Sequence, residues 1–354
     1  MGTRKRHHIV PRFLLARFAS SSRDDKSFVW RVAEGPRAVE ISTKDAAVQS
    51  HFYGREEEGL EAALGDAEGR WGALLRRIDA GTPLDPLASE LWSLLYLIAF
   101  RASPIRSAFT ILAEQFLYHL SDNACGSEVR EGLRRNYDRA FDEELETVIA
   151  RLPPQFHRLI RANKHLLYER AKKELEDMDI EAMMHGLLGV VTTQDILSKA
   201  AKSGHNKGIA KLLDQGHAPK ATQPVAWQFL RDEAGSVVLG DSPVVAVGSA
   251  GNEIGAPWKF GRDCKTFYLP LSPRLVLVGI RDMSVPLLSI SDFNSASASL
   301  SEAAFFSTSF GDDERALSNA IGSRWMPLSE EEIQAIMQET LRDFGNPKKS
   351  ERTE

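Results

Sequence analysis

Apolar positions follow a helical period through the middle of the chain. The clearest case starts near Glu56, and its apolar face consists of Leu60, Leu64, Trp71, Leu74, Leu75 and Ile78. This spacing predicts an amphipathic helix that ends near Gly81 and Pro83. Further helices are predicted at 87–120, 127–149, 154–178 and 180–215. Together these segments predict a central helical block.

Three residues are expected to interrupt this block. Pro104 lies inside the 87–120 segment, and proline removes a backbone hydrogen bond, so we expect a kink there. Pro153 and Gly204 are expected to mark breaks between or within the later helices.

Short runs of β-branched and aromatic residues stand on either side of the helical block. Phe28 to Val32 and Ala38 to Ser42 flank the sequence Glu34-Gly35-Pro36 and predict a β-hairpin. After Pro219, similar runs separated by Gly, Asp and Pro predict a mainly antiparallel sheet. These runs are 225–230, 236–239, 244–247, 266–269, 275–280 and 304–308.

The order of these elements predicts an α+β fold, with a central helical block flanked by an N-terminal β-hairpin and a C-terminal mainly antiparallel sheet. Closing helices are predicted at 313–320 and 329–344, followed by a flexible tail at 346–354. We expect one composite domain over 1–345, with the hairpin packing near the C-terminal sheet. Its parts are the His-His segment with the hairpin (1–54), the helical block (55–218) and the C-terminal sheet with its closing helices (219–345).

Composition narrows the class of protein. The 354 residues are 43% apolar and 26% charged, which suits a globular chain with a substantial core. Cys125 and Cys264 are far apart, so they predict neither a disulfide framework nor a thiolate metal site, and a reducing, cytoplasmic location is expected. The longest apolar run, Leu91 to Phe100, is shorter than the roughly 20 residues of a bilayer span, and we expect no membrane association.

Charge is distributed unevenly near the N-terminus. The net charge of −5 does not by itself indicate a nucleic-acid-binding protein. The first twenty residues nevertheless contain no acid and five cations, namely Arg4, Lys5, Arg6, Arg12 and Arg17. A short helix is predicted after Pro11, because Phe13, Leu14, Leu15 and Phe18 share one face. His7 and His8 therefore lie just upstream of a helix N-terminus.

Several phrases of the sequence resemble a widespread bacterial family named domain of unknown function 4238. They span about Arg4 to Ser309, and the most specific is the N-terminal one, His7 to Leu15 followed by Phe18. The others are Phe52-Tyr53, the helix from Glu61 to Glu68, Arg101 to Arg106, Gly240 to Val244, Leu269 to Pro273, and Asn294. Ala102-Ser103 departs from the Arg-Thr-Pro wording expected in this family. The resemblance implies a fold and a choice of residues, but no activity.

Two interpretations of the histidine pair are open. Adjacent residues of a strand face opposite ways, so only one histidine can point into a given site. That histidine could activate water or bind a divalent metal such as Mg²⁺ or Mn²⁺, as in the His-Me finger nucleases, which the phrase His-His-Ile-Val-Pro resembles. Those nucleases complete the metal site from a nearby helix, which here offers only Arg17 and Ser20. Alternatively, one histidine caps the Pro11 helix and the other stabilises a buried turn.

Four residues farther along the chain also have two interpretations each. Asp241 precedes a Ser-Pro turn, where it could simply accept backbone N–H groups, or it could orient a histidine or hold a cation. Arg101 and Arg106 lie in an apolar helix, where they need either a carboxylate such as Glu58, Glu61 or Glu68, or an anionic ligand. Asn294 could contact substrate or cap a helix.

Our leading hypothesis from the sequence is a phosphodiester-directed hydrolase, specifically a nuclease. In this hypothesis His7 or His8 acts as base or metal ligand and Asp241 orients or binds. The substrate, a nucleic acid or another phosphate-bearing ligand, is expected to contact Arg4, Arg12, Arg101, Arg106 and Asn294. The alternative is a non-catalytic binding or regulatory protein that holds an anionic ligand or partner.

Overall fold

A computed structural model describes most of the chain. The described residues are 6–35, 37–53, 58–102, 105–107, 110–111, 113–115, 137, 141–177, 196–215, 223–249, 253–260 and 263–324. The chain divides into two compact units, one made of 1–110 and 199–329 and the other of 111–198 and 330–354. Helices and antiparallel strands both contribute, which confirms the α+β class. The single composite domain stays a prediction, and each unit is described by itself.

The strands of the first unit form three antiparallel sheets within the described residues. The smallest pairs β1 (Arg6–His8) with β5 (Val48–Ser50). A second has the order β6-β11-β10-β8-β9, and a third has the order β2-β3-β12-β7 with β4 beside β3. The remaining strands are β2 (Ser21–Arg23), β3 (Lys26–Ala33), β4 (Ala38–Ser42), β6 (Ala226–Arg231), β7 (Leu239–Gly240), β8 (Val245–Val247), β9 (Ile254–Gly255), β10 (Thr266–Ser272), β11 (Leu275–Ile280) and β12 (Ala304–Ser307).

The predicted N-terminal hairpin is present and joins a strand from the C-terminal half. β3 pairs with β4, with Trp30 opposite Glu40. On its other side β3 pairs with β12, with Arg31 opposite Phe306. The expected packing of the hairpin near the C-terminal strands is therefore confirmed, and it takes the form of a shared sheet.

The α-helices whose bounds lie within the described residues are α1 (Arg12–Arg17), α2 (Glu58–Asp79), α3 (Ala88–Arg101), α4 (Pro154–Ala162), α5 (Lys164–Glu176), α6 (Ile196–Gln215), α7 (Pro257–Phe260), α8 (Ile290–Leu300) and α9 (Asp312–Ser318). Residues 105–107, 110–111, 113–115, 137 and 141–150 are also helical. The apolar face predicted for α2 is buried at every position, including Leu64 at 2% exposure and Leu74 at 1%. Gly81 follows α2 with φ +81°, the left-handed conformation that commonly ends a helix at glycine. No helix of the described residues is long and apolar enough to cross a membrane.

The helix predicted over 87–120 ends much earlier. α3 stops at Arg101, and Ala102 is extended, with ψ 143°. Pro104 has no N–H to donate to the carbonyl of Phe100, which would be its helical acceptor. That carbonyl instead accepts from the side chain of His205, at 2.7 Å. The prediction of a kinked continuous helix was therefore wrong at this point.

Three other helix predictions differ from the structure. Gly204 does not interrupt α6, because one helical glycine costs only about 1 kcal/mol and neighbouring contacts outweigh it. The segment predicted as one helix over 154–178 is split at Asn163 into α4 and α5. α8 was not predicted, although Ser289 caps it by accepting from the N–H of Asp292, a Ser-x-x-Asp pattern readable in the sequence.

The second unit is described at 111, 113–115, 137, 141–177 and the first three residues of α6. Two ion pairs join α4 and α5 to the preceding helical residues: Arg161 with Glu146 at 2.6 Å, and Lys164 with Asp142 at 2.7 Å. The predictions for 127–136, 178–195 and 329–344, and the tail at 346–354, lie outside the described residues.

Candidate functional site

The strand β1 presents the two histidines to different environments. His7 lies opposite Gln49 and His8 opposite Val48 in the pairing with β5. Because neighbouring side chains of a strand alternate, His7 turns into the core and is 4% exposed, whereas His8 is half-buried. The pair thus supplies one core histidine and one partly accessible histidine.

His7 is held on both ring nitrogens. Its Nδ1 accepts the backbone N–H of Tyr53 at 3.1 Å, and its Nε2 lies 3.6 Å from a carboxylate oxygen of Glu61. Its ring also contacts the ring of Tyr53, with the centroids 5.2 Å apart. Since Nδ1 is an acceptor, the ring proton of neutral His7 is on Nε2, facing Glu61. His7 therefore ties β1 to the turn that precedes α2.

His8 is oriented by one nitrogen only. Its Nε2 lies 3.2 Å from the carbonyl oxygen of Thr43, which can only accept, so Nε2 carries the proton. Nδ1 has no hydrogen-bond partner within the described residues. Burial lowers the pKa of His8 below 6.5, and the positive charges of Arg101 and Arg12 act in the same direction. At neutral pH His8 is therefore an uncharged imidazole with a lone pair on Nδ1.

Arg101 contacts His8, Tyr53 and Glu68, and it is 4% exposed. These four residues and His7, which accepts from Tyr53, are called the cluster below. The Nε of Arg101 donates to the hydroxyl of Tyr53 at 2.5 Å, one terminal nitrogen donates to Glu68 at 2.5 Å, and the other donates to the carbonyl of His8 at 2.6 Å. The guanidinium thus meets a carboxylate from α2 and the backbone of β1. Among the carboxylates that the sequence offered as partners, Glu58, Glu61 and Glu68, the one that pairs with Arg101 is Glu68.

Arg106 contacts the Phe52-Tyr53 turn through its guanidinium. One terminal nitrogen donates to the carbonyl of Phe52, and the other lies 3.0 Å from Nδ1 of His205 and 3.2 Å from the side-chain oxygen of Asn206. Its guanidinium stacks 3.5 Å from the centroid of the Phe52 ring. Asn206 also donates to the carbonyl of Tyr53, at 2.7 Å. α6 therefore fixes the Phe52-Tyr53 turn, on which His7 and Arg101 depend.

We expect acid to destabilise the protein through His205. This residue is fully buried, and burial lowers its pKa from 6.5 to about 4. Between these two pH values His205 is protonated in the unfolded chain and neutral in the folded protein. The free energy of unfolding therefore falls as the pH falls. The shift corresponds to a loss of about 3 kcal/mol from pH 7 to pH 4. Urea unfolding of wild type and His205→Gln over this range measures it, since glutamine cannot titrate. Parallel pH profiles would contradict the assignment.

Arg12 is the exposed cation beside the cluster. It begins α1, directly after the Pro11 that follows β1, and its charge acts on His8. Arg6 is also exposed but is paired with Asp45 at 2.7 Å. α1 has no side-chain cap, so the suggestion that a histidine caps this helix was wrong. Arg4 lies outside the described residues.

Asp241 has a different set of partners. Its carboxylate accepts the backbone N–H groups of Glu302, Ala303 and Ala304 at 2.8, 2.8 and 2.9 Å. Burial raises its pKa to about 6, while these three donors act in the opposite direction. Its hydrogen-bond partners include neither His7 nor His8. These contacts match the interpretation in which Asp241 serves a turn.

Asn294 supports the same part of the fold from α8. Its side-chain oxygen accepts the N–H of Val238 at 3.0 Å, and its nitrogen donates to the carbonyl of Ser236 at 2.9 Å. One turn later, the hydroxyl of Ser297 accepts the N–H of Gly240 at 3.1 Å. α8 thus supplies side-chain hydrogen bonds to the backbone of residues 236–240.

The structure therefore brings His7, His8, Arg101 and Arg12 into one neighbourhood and attaches Arg106 to it through the Phe52-Tyr53 turn. It also adds members with no role assigned from the sequence, namely Thr43, Tyr53, His205 and Asn206. Tyr53 had a sequence signal, as part of the Phe-Tyr landmark; His205 and Asn206 had none, because they lie mid-helix without a ligand spacing. No group of three or more His, Cys, Asp or Glu side chains could hold a metal ion within the described residues.

Comparison with known proteins identifies a family but no activity. The family described as "Protein of unknown function (DUF4238)" matches residues 6–289, which include β1, the Phe52-Tyr53 turn, Arg101 and Asp241. No curated protein and no solved structure matches the chain. The matched range covers most of the chain, and the chain therefore belongs to the DUF4238 family.

Proposed function

We propose that this protein is a phosphodiester-directed hydrolase, specifically a nuclease, and that His8 is its general base. The observation that supports the proposal is the fixed orientation and the uncharged form of the His8 ring. One ring nitrogen is fixed by the carbonyl of Thr43, and the lowered pKa keeps the ring neutral at pH 7. A general base needs a free lone pair, a fixed orientation and the uncharged form.

The proposed step uses His8 and Arg12. Nδ1 of His8 takes a proton from water as the water oxygen attacks phosphorus and the bond from phosphorus to the leaving oxygen breaks. The leaving oxygen then takes a proton from solvent, and His8 returns its proton to solvent. Arg12, exposed and close enough for its charge to act on His8, is suited to bind the phosphate oxygens.

The other members of the cluster act as positioning residues in this proposal. Arg101 holds the backbone of His8, and Tyr53 and Glu68 hold Arg101. His7 joins β1 to the Phe52-Tyr53 turn. The substrate contacts predicted for Arg101, Arg106 and Asn294, and the catalytic role predicted for Asp241, are not needed for this step. A metal requirement stays a prediction and enters the experiment as a variable.

We expect His8→Gln to reduce cleavage of RNA or DNA at least about 100-fold, the usual minimum for losing a general base. Purified wild type is incubated with single- and double-stranded substrates in Mg²⁺, in Mn²⁺ and in chelator. The wild-type rate should rise with pH through a pKa below 6.5 and then level off. His165→Gln, an exposed histidine of α5, is the matched control and should retain the wild-type rate.

Two results would reject the hydrolase. The first is absence of cleavage by wild type under all these conditions, and the second is cleavage that His8→Gln leaves unchanged. If the protein binds nucleic acid without turnover and Arg12→Gln weakens that binding, the anion-binding alternative replaces the hydrolase.

A further inference from the structure

A cavity of about 330 Å³ lies between α2, α3 and α6 in the first unit. This volume is at the lower end of the roughly 300–1,000 Å³ range of small-molecule sites. Its lining includes neither histidine of β1 nor any of the residues that hold them. The cavity is therefore separate from the cluster around His8.

Three hydroxyl groups of α3 line this cavity. Ser89, Ser93 and Tyr96 are spaced four and three residues apart, which puts them on one face of the helix. None of the three hydroxyls has a hydrogen-bond partner in the described part of the chain. Polar side chains that converge on a concave surface without protein partners are the feature that fixes ligand orientation in small-molecule sites.

The lining of the cavity carries one cation and one anion, Arg70 and Glu90. Arg70 of α2 lines it and makes no ion pair or hydrogen bond with any described residue. The acid of the lining, Glu90, already accepts two hydrogen bonds from Arg77, at 2.9 and 3.0 Å. Arg70 is therefore the charged group in the cavity that is available to a ligand, and a guanidinium fork suits a carboxylate.

Part of the cavity wall is apolar. Trp71, Leu97, Leu212 and Leu213 contribute this part, from three helices. The ring of Tyr96 is fixed by Trp92, whose centroid lies 5.3 Å away in an edge contact. An aromatic ligand packs well against aromatic and leucine side chains of this kind. The apolar walls and the single available cation together define the ligand.

We propose that this cavity binds a small aromatic carboxylate. Its ring packs against Trp71 and the leucines of α6, its carboxylate pairs with Arg70, and the hydroxyls of α3 bond its polar edge. Binding can be measured without any turnover, so the proposal does not depend on the hydrolase proposed above.

Indole-3-carboxylate is the probe, and indole-3-carboxamide is its neutral counterpart, both titrated by calorimetry into the full-length protein. We expect saturable binding of the carboxylate at a single site, and Arg70→Gln should weaken it about fivefold, the upper end of what an ion pair to an exposed arginine contributes. The same substitution should change carboxamide binding less than twofold. Arg76→Gln, an exposed arginine of α2 outside the lining, is the matched control and should leave both affinities unchanged.

A second variant fills the cavity. Ser93→Phe, checked for a wild-type circular dichroism spectrum, should abolish binding of both probes. The proposal is overturned if wild type shows no binding up to 5–10 mM, roughly the weakest affinity that two or three hydrogen bonds would give. It is also overturned if Arg70→Gln and Arg76→Gln bind the carboxylate equally well.

Discussion

Replacement of Arg101 by methionine is expected to lower the free energy of unfolding by about 2–4 kcal/mol. The methionine keeps most of the apolar stem but removes a guanidinium that is 4% exposed. Glu68, the carbonyl of His8 and the hydroxyl of Tyr53 then lose their partner, and Tyr53 is only 2% exposed. Glu68 is 25% exposed, so water can reach part of its carboxylate, and most of the loss comes from the polar groups that the missing guanidinium leaves without a hydrogen bond.

Urea unfolding followed by circular dichroism measures this effect. Arg77→Met is the matched control, because Arg77 pairs with Glu90 across the same two helices but both side chains are about half exposed. Exposed ion pairs contribute about 0.2–1 kcal/mol, so this variant should remain close to wild type. Adding Glu68→Leu to Arg101→Met should recover part of the loss, since it removes the stranded carboxylate. Equal effects of Arg101→Met and Arg77→Met would show that the buried pair has no special role.

Replacement of Asp241 by alanine is expected to cost at least about 3 kcal/mol, because it leaves three backbone N–H groups without an acceptor. These groups belong to consecutive residues, Glu302 to Ala304, at the turn between α8 and β12. β12 lies between β3 and β7, so this turn positions the strand that joins the N-terminal hairpin to the C-terminal half. The substitution should therefore loosen the junction between the two parts of the sheet.

Asp232 provides the comparison for this prediction. It also accepts backbone N–H bonds, from Ala234 and Ser236, but in an exposed turn where water can replace the carboxylate. We expect Asp232→Ala to cost no more than about 1 kcal/mol in the same unfolding experiment. If Asp241→Ala kept wild-type stability but abolished cleavage, the structural role would be wrong and the catalytic role predicted from the sequence would be supported.

The sequence by itself determined the elements that depend on local pattern. The apolar face of α2 repeats every three to four residues, and this periodicity is sufficient to predict both the helix and the side that is buried. The hairpin of β3 and β4 is likewise encoded by two β-type runs around Glu34-Gly35. The histidine pair also stood out, because two adjacent imidazoles beside a cluster of arginines are visible without a structure.

Only the tertiary structure decided what the polar residues do. Arg101 binds Glu68 and the backbone of His8, which are 33 and 93 positions away, and no local pattern encodes such partners. The end of α3 depends on the same kind of contact, since the carbonyl that Pro104 leaves without a helical donor is bonded by His205 from α6. Asp241 was open to either interpretation in the sequence because an aspartate before a turn looks the same in both cases. Its three N–H donors come from a turn some sixty residues later, and they exist only once β12 lies beside β7.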